Sequence, residues 1–396
     1  MFGLYESAFG ALTWGNILML LIGGLLIYLG IAKKMEPILL VPIGFGIIAV
    51  NLPLGGLMVF TAEGIPAEVS TFTGAVKAIG SGDLGVMNIL YTYGIESEVI
   101  PLLIFLGIGT LTDFTPTIAR PLSMVFGGTA QLGISIAFLI AFFSGMFTIN
   151  EAVCVGIIGG SDGPPTVYTT AALAPQLLGP IVLIAYSYMA LVPILQPPII
   201  KLLTTKKERA IYMKPQVRKV SRLELTFFPI IIFIVAALLV PKSVPLIGMF
   251  MFGNLLRVSG VTERLAHAAG GVFLDVLTFL LGLTVGMLMP AEVFLKPQTL
   301  AIVGLAIVAF AFSTAGGIWG AKIVNLFLKE KINPMIGAAG VSAIPMSARV
   351  VQKLGQEANP RNFLLMHAMG PNMAGAIATS VHAGIFLGML LPSISG

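Results

Sequence analysis

An aspartate stands where the hydropathy of this chain leaves little room for one. Asp162 lies in Gly159-Gly160-Ser161-Asp162-Gly163-Pro164-Pro165, inside the apolar stretch Ala152 to Ala174. A carboxylate at membrane depth costs about 2.5–3.5 kcal/mol on insertion scales. The flanking glycines and prolines break a helix and free backbone carbonyls that lipid cannot satisfy. A full negative charge beside free carbonyls is the donor set of a small hard cation, or else a proton carrier. The structural alternative is an aspartate that merely caps a helix. Glu151, at the head of the segment, reads as an interfacial charge favoured by the helix dipole.

A weak repeat gives Asp162 a counterpart. Gly156-Ile-Ile-Gly159-Gly-Ser161-Asp-Gly-Pro164 and Gly337-Ala-Ala-Gly340-Val-Ser342-Ala-Ile-Pro345 both read G-x-x-G-x-S-x-x-P, offset by 181 positions. Helix breaks at corresponding places in two halves point to a transporter binding site. Asn333-Pro334 opens the second segment, which holds Gly337, Ser342, Pro345 and Arg349. Arg349 either snorkels to an interface or binds an anionic group with its planar fork. Gly370-Pro371-Asn372 interrupts the last long apolar run, and Ser380 falls on the same face as Asn372, two oxygens suited to Na⁺. Tyr186 and Tyr188, two residues apart on one helix, face different ways. His267, His367 and His382 show no metal-ligand spacing. Under the same offset His367 corresponds to Tyr186. Asp113 and Arg120 flank a helix end, while Asp275 and Lys322 have no assigned role.

The elements that position these residues are membrane helices. The 396 residues are 57% hydrophobic and 10% charged, with a mean hydropathy of +1.00; a soluble chain carries about 25% charged residues. The expected fold is an all-α polytopic membrane protein. It has ten or eleven transmembrane helices, two broken or re-entrant segments and an inverted repeat. Four regions are expected: N-terminal helices and an extracytoplasmic excursion (1–98), a first repeat-like half around Asp162 (99–200), a basic cytoplasmic loop (201–223), and a second half around Ser342 (224–396). The basic loop carries Lys201, Lys206, Lys207, Arg209, Lys214, Arg218, Lys219 and Arg222 against Glu208, which places it inside. The stretch Thr61 to Glu98 carries Glu63, Glu68, Asp83, Glu96 and Glu98 against Lys77 and belongs outside. The two placements do not give a clean crossing parity, so some segment re-enters. The basic loop either sets topology or docks an acidic cytoplasmic partner. Nothing in the charge pattern calls for nucleic acid. The lone Cys154 forms no intrachain disulfide, and Met1 to Asn16 lacks a signal-peptide pattern. P-loop, nucleophile-elbow and zinc motifs are absent from the sequence.

At several strings the chain resembles the β subunit of the sodium-pumping biotin-dependent decarboxylases, a family covering oxaloacetate, glutaconyl-CoA, malonate and methylmalonyl-CoA enzymes. The strings are Gly-Gly-Ser-Asp162-Gly-Pro, Ala-Tyr-Ser-Tyr188-Met-Ala-Leu-Val-Pro followed by Gln196-Pro-Pro, Asn359-Pro-Arg-Asn-Phe-Leu-Leu-Met-His-Ala-Met-Gly-Pro-Asn372, and Phe105 to Phe114. The likeness runs from about residue 90 to the end. It implies a membrane subunit that decarboxylates carboxybiotin and couples this to Na⁺ export with proton uptake. The biotin is carried by a partner, since this chain has no Ala-Met-Lys-Met string. Catalytic roles carry over to Asp162, Tyr188 and Arg349, and Na⁺ ligation to Asp162, Asn333, Ser342 and Asn372, with Gly337 and Ser380 beside them. Ser161 departs from a family pattern in which alanine is frequent and adds a candidate ligand oxygen. Implied partners are a biotin-carrier protein, a carboxyltransferase α subunit and a small membrane γ/δ subunit, around a homo-oligomer in a prokaryotic plasma or inner membrane. The residues alone leave two other functions open: a stand-alone cation antiporter or organic-anion symporter, and a non-catalytic scaffold.

Overall fold

Capping chemistry starts several of the helices in the computed structural model, which describes residues 8–60, 67, 78–79, 83–214 and 218–391. Thr13 and Asn16 cap α1 (Trp14–Ala32) reciprocally. α2 (Pro37–Val50) follows the turn at Lys33–Glu36. A bent pair, Val86–Glu96 and α3 (Val99–Leu111), comes next, with a 58° break. α4 (Ser123–Ala130) and α5 (Leu132–Phe143) form one span. α6 (Ile149–Ile157) begins at a capping box, Glu151 accepting from the Thr148 amide and Thr148 from the Glu151 amide. α7 (Gly163–Leu173) and α8 (Leu178–Leu203) follow, and α8 bends by 66° between Met189 and Leu191. Beyond the basic loop, Ser221 and Glu224 box the start of α9 (Arg222–Leu239). Then come α10 (Val244–Val258), α11 (Glu263–Gly270), α12 (Val272–Met287), α13 (Pro297–Phe327), α14 (Met346–Ala358) and α15 (Leu365–Leu390).

Every extended regular element among the described residues is helical. Among the described residues, six helices are long and apolar enough to cross a membrane, or up to eight if each bent pair counts as one span. The expected ten or eleven exceeds this because some apolar helices are short. Pro37–Val50 has 14 residues, roughly 21 Å of rise, against a hydrocarbon core of about 30 Å. Leu238, Leu239, Phe143 and Val272 turn apolar surface outward, as lipid-facing positions do. Glu63, Glu68 and Lys77 lie outside the described residues. Much of the basic loop's charge is spent within the chain, on Lys201–Glu357, Lys214–Glu330 and Arg218–Glu224.

Two helix pairs pack through glycine. Added Cβ atoms would meet backbone carbonyls at 2.4 Å (Gly46 on Leu283) and 2.2 Å (Gly286 on Ile43), where α2 lies against α12. The same holds at 2.1 Å (Gly109 on Phe250) and 2.0 Å (Gly253 on Leu106), where α10 lies against α3. Small residues thus let backbones touch, the usual device of membrane helix packing.

Candidate functional site

The first broken segment is a hairpin. α6 ends in a 3-10 turn over Ile158–Gly160, Ser161 takes left-handed backbone (φ 51°), and α7 restarts at Gly163 with Pro164 in its first turn. Its ends meet, since Gln176 Nε2 donates to Glu151 Oε1 at 3.1 Å. Deeper in, Cys154 Sγ lies 3.8 Å from the Thr169 carbonyl, so the arms run antiparallel. The second broken segment closes the same way. Asn333 Nδ2 donates to the carbonyls of Arg209 (2.8 Å) and Ile211 (3.0 Å). Beyond the other arm, Asn362 Nδ2 donates to the same Ile211 carbonyl at 2.7 Å.

The two mouths sit at opposite ends of α13. Gln298, in its first turn, donates to the Met146 carbonyl beside the first mouth (3.2 Å). Lys322, near the other end, meets Glu208 beside the second (2.9 Å). At 1.5 Å per residue the two contacts are about 36 Å apart.

The tips meet between them. Ser342 Oγ donates to Asp162 Oδ2 at 2.7 Å, and the Ser342 amide donates to the Gly160 carbonyl at 3.0 Å. Asn372 holds the second tip, its Nδ2 donating to the carbonyls of Ala339 (3.0 Å) and Val341 (2.6 Å). Its Oδ1 is buried with no hydrogen-bond partner, and such an orphan acceptor costs roughly 1–3 kcal/mol. Ser313 Oγ donates to the Gly159 carbonyl at 2.7 Å. Gln196 Nε2 ties the Ala338 carbonyl (2.9 Å) to Ser347 Oγ (2.7 Å). A carboxylate, a hydroxyl, an amide oxygen and carbonyls at two helix breaks form an all-oxygen set, which fits a small hard cation. No group of three or more His, Cys, Asp or Glu suited to a metal occurs among the described residues.

Asp162 and Ser342 line a cavity of about 430 Å³, together with Tyr186, Thr112, Glu36 and Asp275. Glu36, between α1 and α2, carries a carboxyl that burial pushes above the usual carboxylate range, with the Arg349 guanidinium pulling against it. Arg349 itself is exposed on α14, within electrostatic reach of Glu36.

Asp162, Ser342 and Asn372 are therefore brought together, and the other expected site residues are not. Asn333 sits at the mouth of the second hairpin with its Oδ1 already accepting from the Met335 amide (3.1 Å). Gly337 is a packing position: a Cβ there would stand 2.0 Å from the Gly317 carbonyl. Ser380 Oγ donates back to the Ala376 carbonyl of its own helix (2.8 Å). Tyr188 gives its hydroxyl to the Val303 carbonyl (2.8 Å) on α13. Its neighbour Tyr186 faces the cavity, close enough that a Cβ on Gly163 would fall 2.3 Å from the Tyr186 hydroxyl. A two-residue step turns a helix by about 200°, so only one of the tyrosines reaches Asp162. Glu36 and Ser313 were not singled out by the sequence; each lies far along the chain from the contact it makes.

Known proteins resemble this chain over nearly its whole length. The family model described as "Na+-transporting oxaloacetate decarboxylase beta subunit" matches residues 15–390. The methylmalonyl-CoA decarboxylase subunit beta of Propionigenium modestum is 47% identical over 385 residues, covering 97% of each chain. The oxaloacetate decarboxylase beta chain of Klebsiella pneumoniae is 45% identical over 414 aligned positions, covering 95% of each. The methylmalonyl-CoA decarboxylase subunit beta of Veillonella parvula is 46% identical, covering 97% of this chain and 96% of its own. The chain thus belongs to the family of β subunits of Na⁺-transporting decarboxylases.

Proposed function

We propose that this chain is the membrane subunit of a sodium pump, in which loss of CO₂ from carboxybiotin drives Na⁺ across the membrane against an inward proton. The observation that carries the reading is the contact of Ser342 with Asp162, where two hairpin tips meet at a buried carboxylate. Carboxybiotin, delivered on a partner subunit, supplies a favourable decarboxylation in which the N–CO₂ bond breaks and one proton ends on the ring nitrogen.

The chain's own part is neutralisation of Asp162. A carboxylate at this depth needs a partner, either Na⁺ or a proton, and the two exclude each other. With Na⁺ present, Asp162, Ser342 Oγ and Asn372 Oδ1 provide side-chain oxygens, and the Gly160 region adds carbonyls at a helix C-terminal end. With a proton present, the Ser342 hydroxyl turns to accept, and the cation leaves. Glu36 and Asp275 line the route between Asp162 and the basic face. Arg349 stands over that route and orients an anionic group arriving there. Tyr186, rather than Tyr188, borders the Asp162 carboxylate.

Ten crossings fit this mechanism, counting the short helices α2 and α10 as spans and both broken segments as re-entrant. Each half then crosses five times, and an odd number inverts the second half relative to the first. The reading is supported by the mouths at opposite ends of α13 and by the exchanged pairs α2 with α12 and α10 with α3. It also gives the parity that puts Thr61 to Glu98 outside and the basic loop inside. Five crossings per half require α1 and α2, so the repeated halves are then 1–200 and 224–396, joined by the loop 201–223. A biotin-carrier protein, a carboxyltransferase and a small membrane subunit complete the complex, around a homo-oligomer of this chain.

The alignment with the Propionigenium chain uses 385 positions to cover 97% of these 396 residues, and so is nearly gap-free. The Klebsiella alignment needs 414 positions to cover 95%. This favours a complex of the methylmalonyl-CoA type, although carboxyl transfer itself takes place on another chain.

Proteoliposomes holding the reconstituted complex test the function. Substrate added at the basic face is expected to drive ²²Na⁺ accumulation that stops when biotin is blocked with avidin. Accumulation indifferent to avidin would replace the pump with a stand-alone carrier.

A further inference from the structure

A second cavity, of about 290 Å³, opens at the basic face and is separate from the one that reaches Asp162. Tyr212, Arg218, Arg361, Phe363, Met366 and His367 are among its lining residues. Its chemistry is cationic with aromatic walls. Arg218 is fixed in place by Glu224 and the Ile118 carbonyl (2.6 Å). Arg361 makes no salt bridge among the described residues.

One buried polar atom in the lining lacks a partner, and a second lies on the residue next to the lining's Ala119. His367 is only 4% exposed, and its Nδ1 has no hydrogen-bond partner. That second atom is Arg120 Nη1, outside the lining, whose charge bears on His367. A carboxylate in the pocket meets the Arg361 guanidinium through charge-assisted bonds and is attracted by the Arg120 charge. With the other ring nitrogen bonded to the Lys214 backbone, His367 Nδ1 donates to the anion as the imidazolium, in which both nitrogens are donors. The pocket is also rigidly framed, since Asn362 accepts from the Met213 amide (3.1 Å) while donating to the Ile211 carbonyl. His367 precedes Asn372 by five residues on α15, about 7.5 Å along the helix axis.

We propose that this pocket receives the carboxylated ring of biotin, with Arg361 and His367 holding the carboxylate and Tyr212 and Phe363 flanking the ring. The proposal rests on the pump reading and adds a docking site to it. The cavity suits a bicyclic ring with one carboxylate, and the carrier arm stays outside. It places the ligand on the same helix as Asn372, less than two turns from the hairpin tips.

Binding is measured apart from turnover, by calorimetric titration of free carboxybiotin into the full complex carrying Asp162→Asn. Adding Arg361→Gln or His367→Gln is expected to weaken binding at least tenfold, the scale of one lost charge-assisted hydrogen bond, with Arg361→Lys intermediate. In the complex with native Asp162, the same changes raise KM for carboxybiotin and leave the Na⁺ half-saturation unchanged. Arg361 is exposed, so Arg361→Gln tests the site even if His367→Gln fails to fold. Unaltered binding in Arg361→Gln overturns the proposal. So does an effect confined to nanodiscs containing phosphatidylglycerol and missing in phosphatidylcholine alone, which would assign the pocket to a lipid phosphate. Binding that weakens as expected, while the complex with native Asp162 fails to turn over carboxybiotin, would keep the pocket and refute the pump.

Discussion

Ser342 donates its hydroxyl to Asp162 across 2.7 Å, joining two hairpin tips that lie 180 residues apart in sequence. Each segment folds back so that its ends lie close together. The contact therefore makes a buried polar centre where the two hairpins meet. Ser342→Ala removes one ligand oxygen and leaves the carboxylate. The Na⁺ concentration for half-maximal decarboxylation is expected to rise about tenfold, from the loss of one hydrogen bond to a charged group. An unchanged half-saturation would remove Ser342 from the ion site.

The tyrosines separate by role. Tyr188→Phe removes the bond from α8 to the Val303 carbonyl of α13, so thermal stability in detergent should fall by about 0.5–1.5 kcal/mol, the net value of one hydrogen bond. Tyr186→Phe leaves that contact intact and is expected to alter Na⁺ dependence with little change in melting temperature. The opposite pattern in melting curves and Na⁺ titrations would return the site role to Tyr188.

Gly337→Ala drives a Cβ into the Gly317 carbonyl, a backbone atom that cannot rotate away. Overpacking of this kind costs about 1–3 kcal/mol. Gly304→Ala, with nothing within 4 Å, is the control and should be neutral. Equal melting temperatures for the two variants would contradict the close approach of α13 to the second hairpin.

The legible parts of the sequence were those that carry their own local cost. An aspartate among glycines and prolines marks a broken membrane helix, and the 181-residue offset, which sets Ser342 against the adjacent Ser161, pointed to the segment that meets it. Asn372 was found because a proline kink exposes its amide. The crossing count was not legible, because a 14-residue apolar helix and a 58° bend look the same to hydropathy. Asn333 was misplaced for a related reason: spacing within a segment does not say that its amide meets the Arg209 and Ile211 carbonyls of a distant loop. Glu36 and the unpaired Arg120 sit at helix ends, where a charge is unremarkable until its neighbours are known.

The second mouth is tied to the basic loop by a pH-sensitive contact. Partial burial pushes the Glu208 carboxyl upward, but hydrogen bonds from the Thr205 amide, Lys322 and the Thr205 hydroxyl, with the Lys322 charge, outweigh it, and the net shift is downward. A depressed carboxylate stabilises the fold above its unfolded value and loses that contribution as pH falls through the folded one. Protection factors over residues 204–213, with the intrinsic pH dependence of exchange divided out, should thus fall on acidification below the ordinary glutamate range, and Glu208→Gln should abolish that change. Protection in the native chain that ignores acid would contradict the anchoring.

The most direct test of the Asp162 site uses Asp162→Asn in the reconstituted complex, with decarboxylation of carboxybiotin and ²²Na⁺ uptake recorded together. Loss of both Na⁺ stimulation and Na⁺ uptake is the expected result, because the amide holds neither the charge nor the exchangeable proton. Full Na⁺-coupled activity in that variant would contradict the assignment of ion exchange to Asp162.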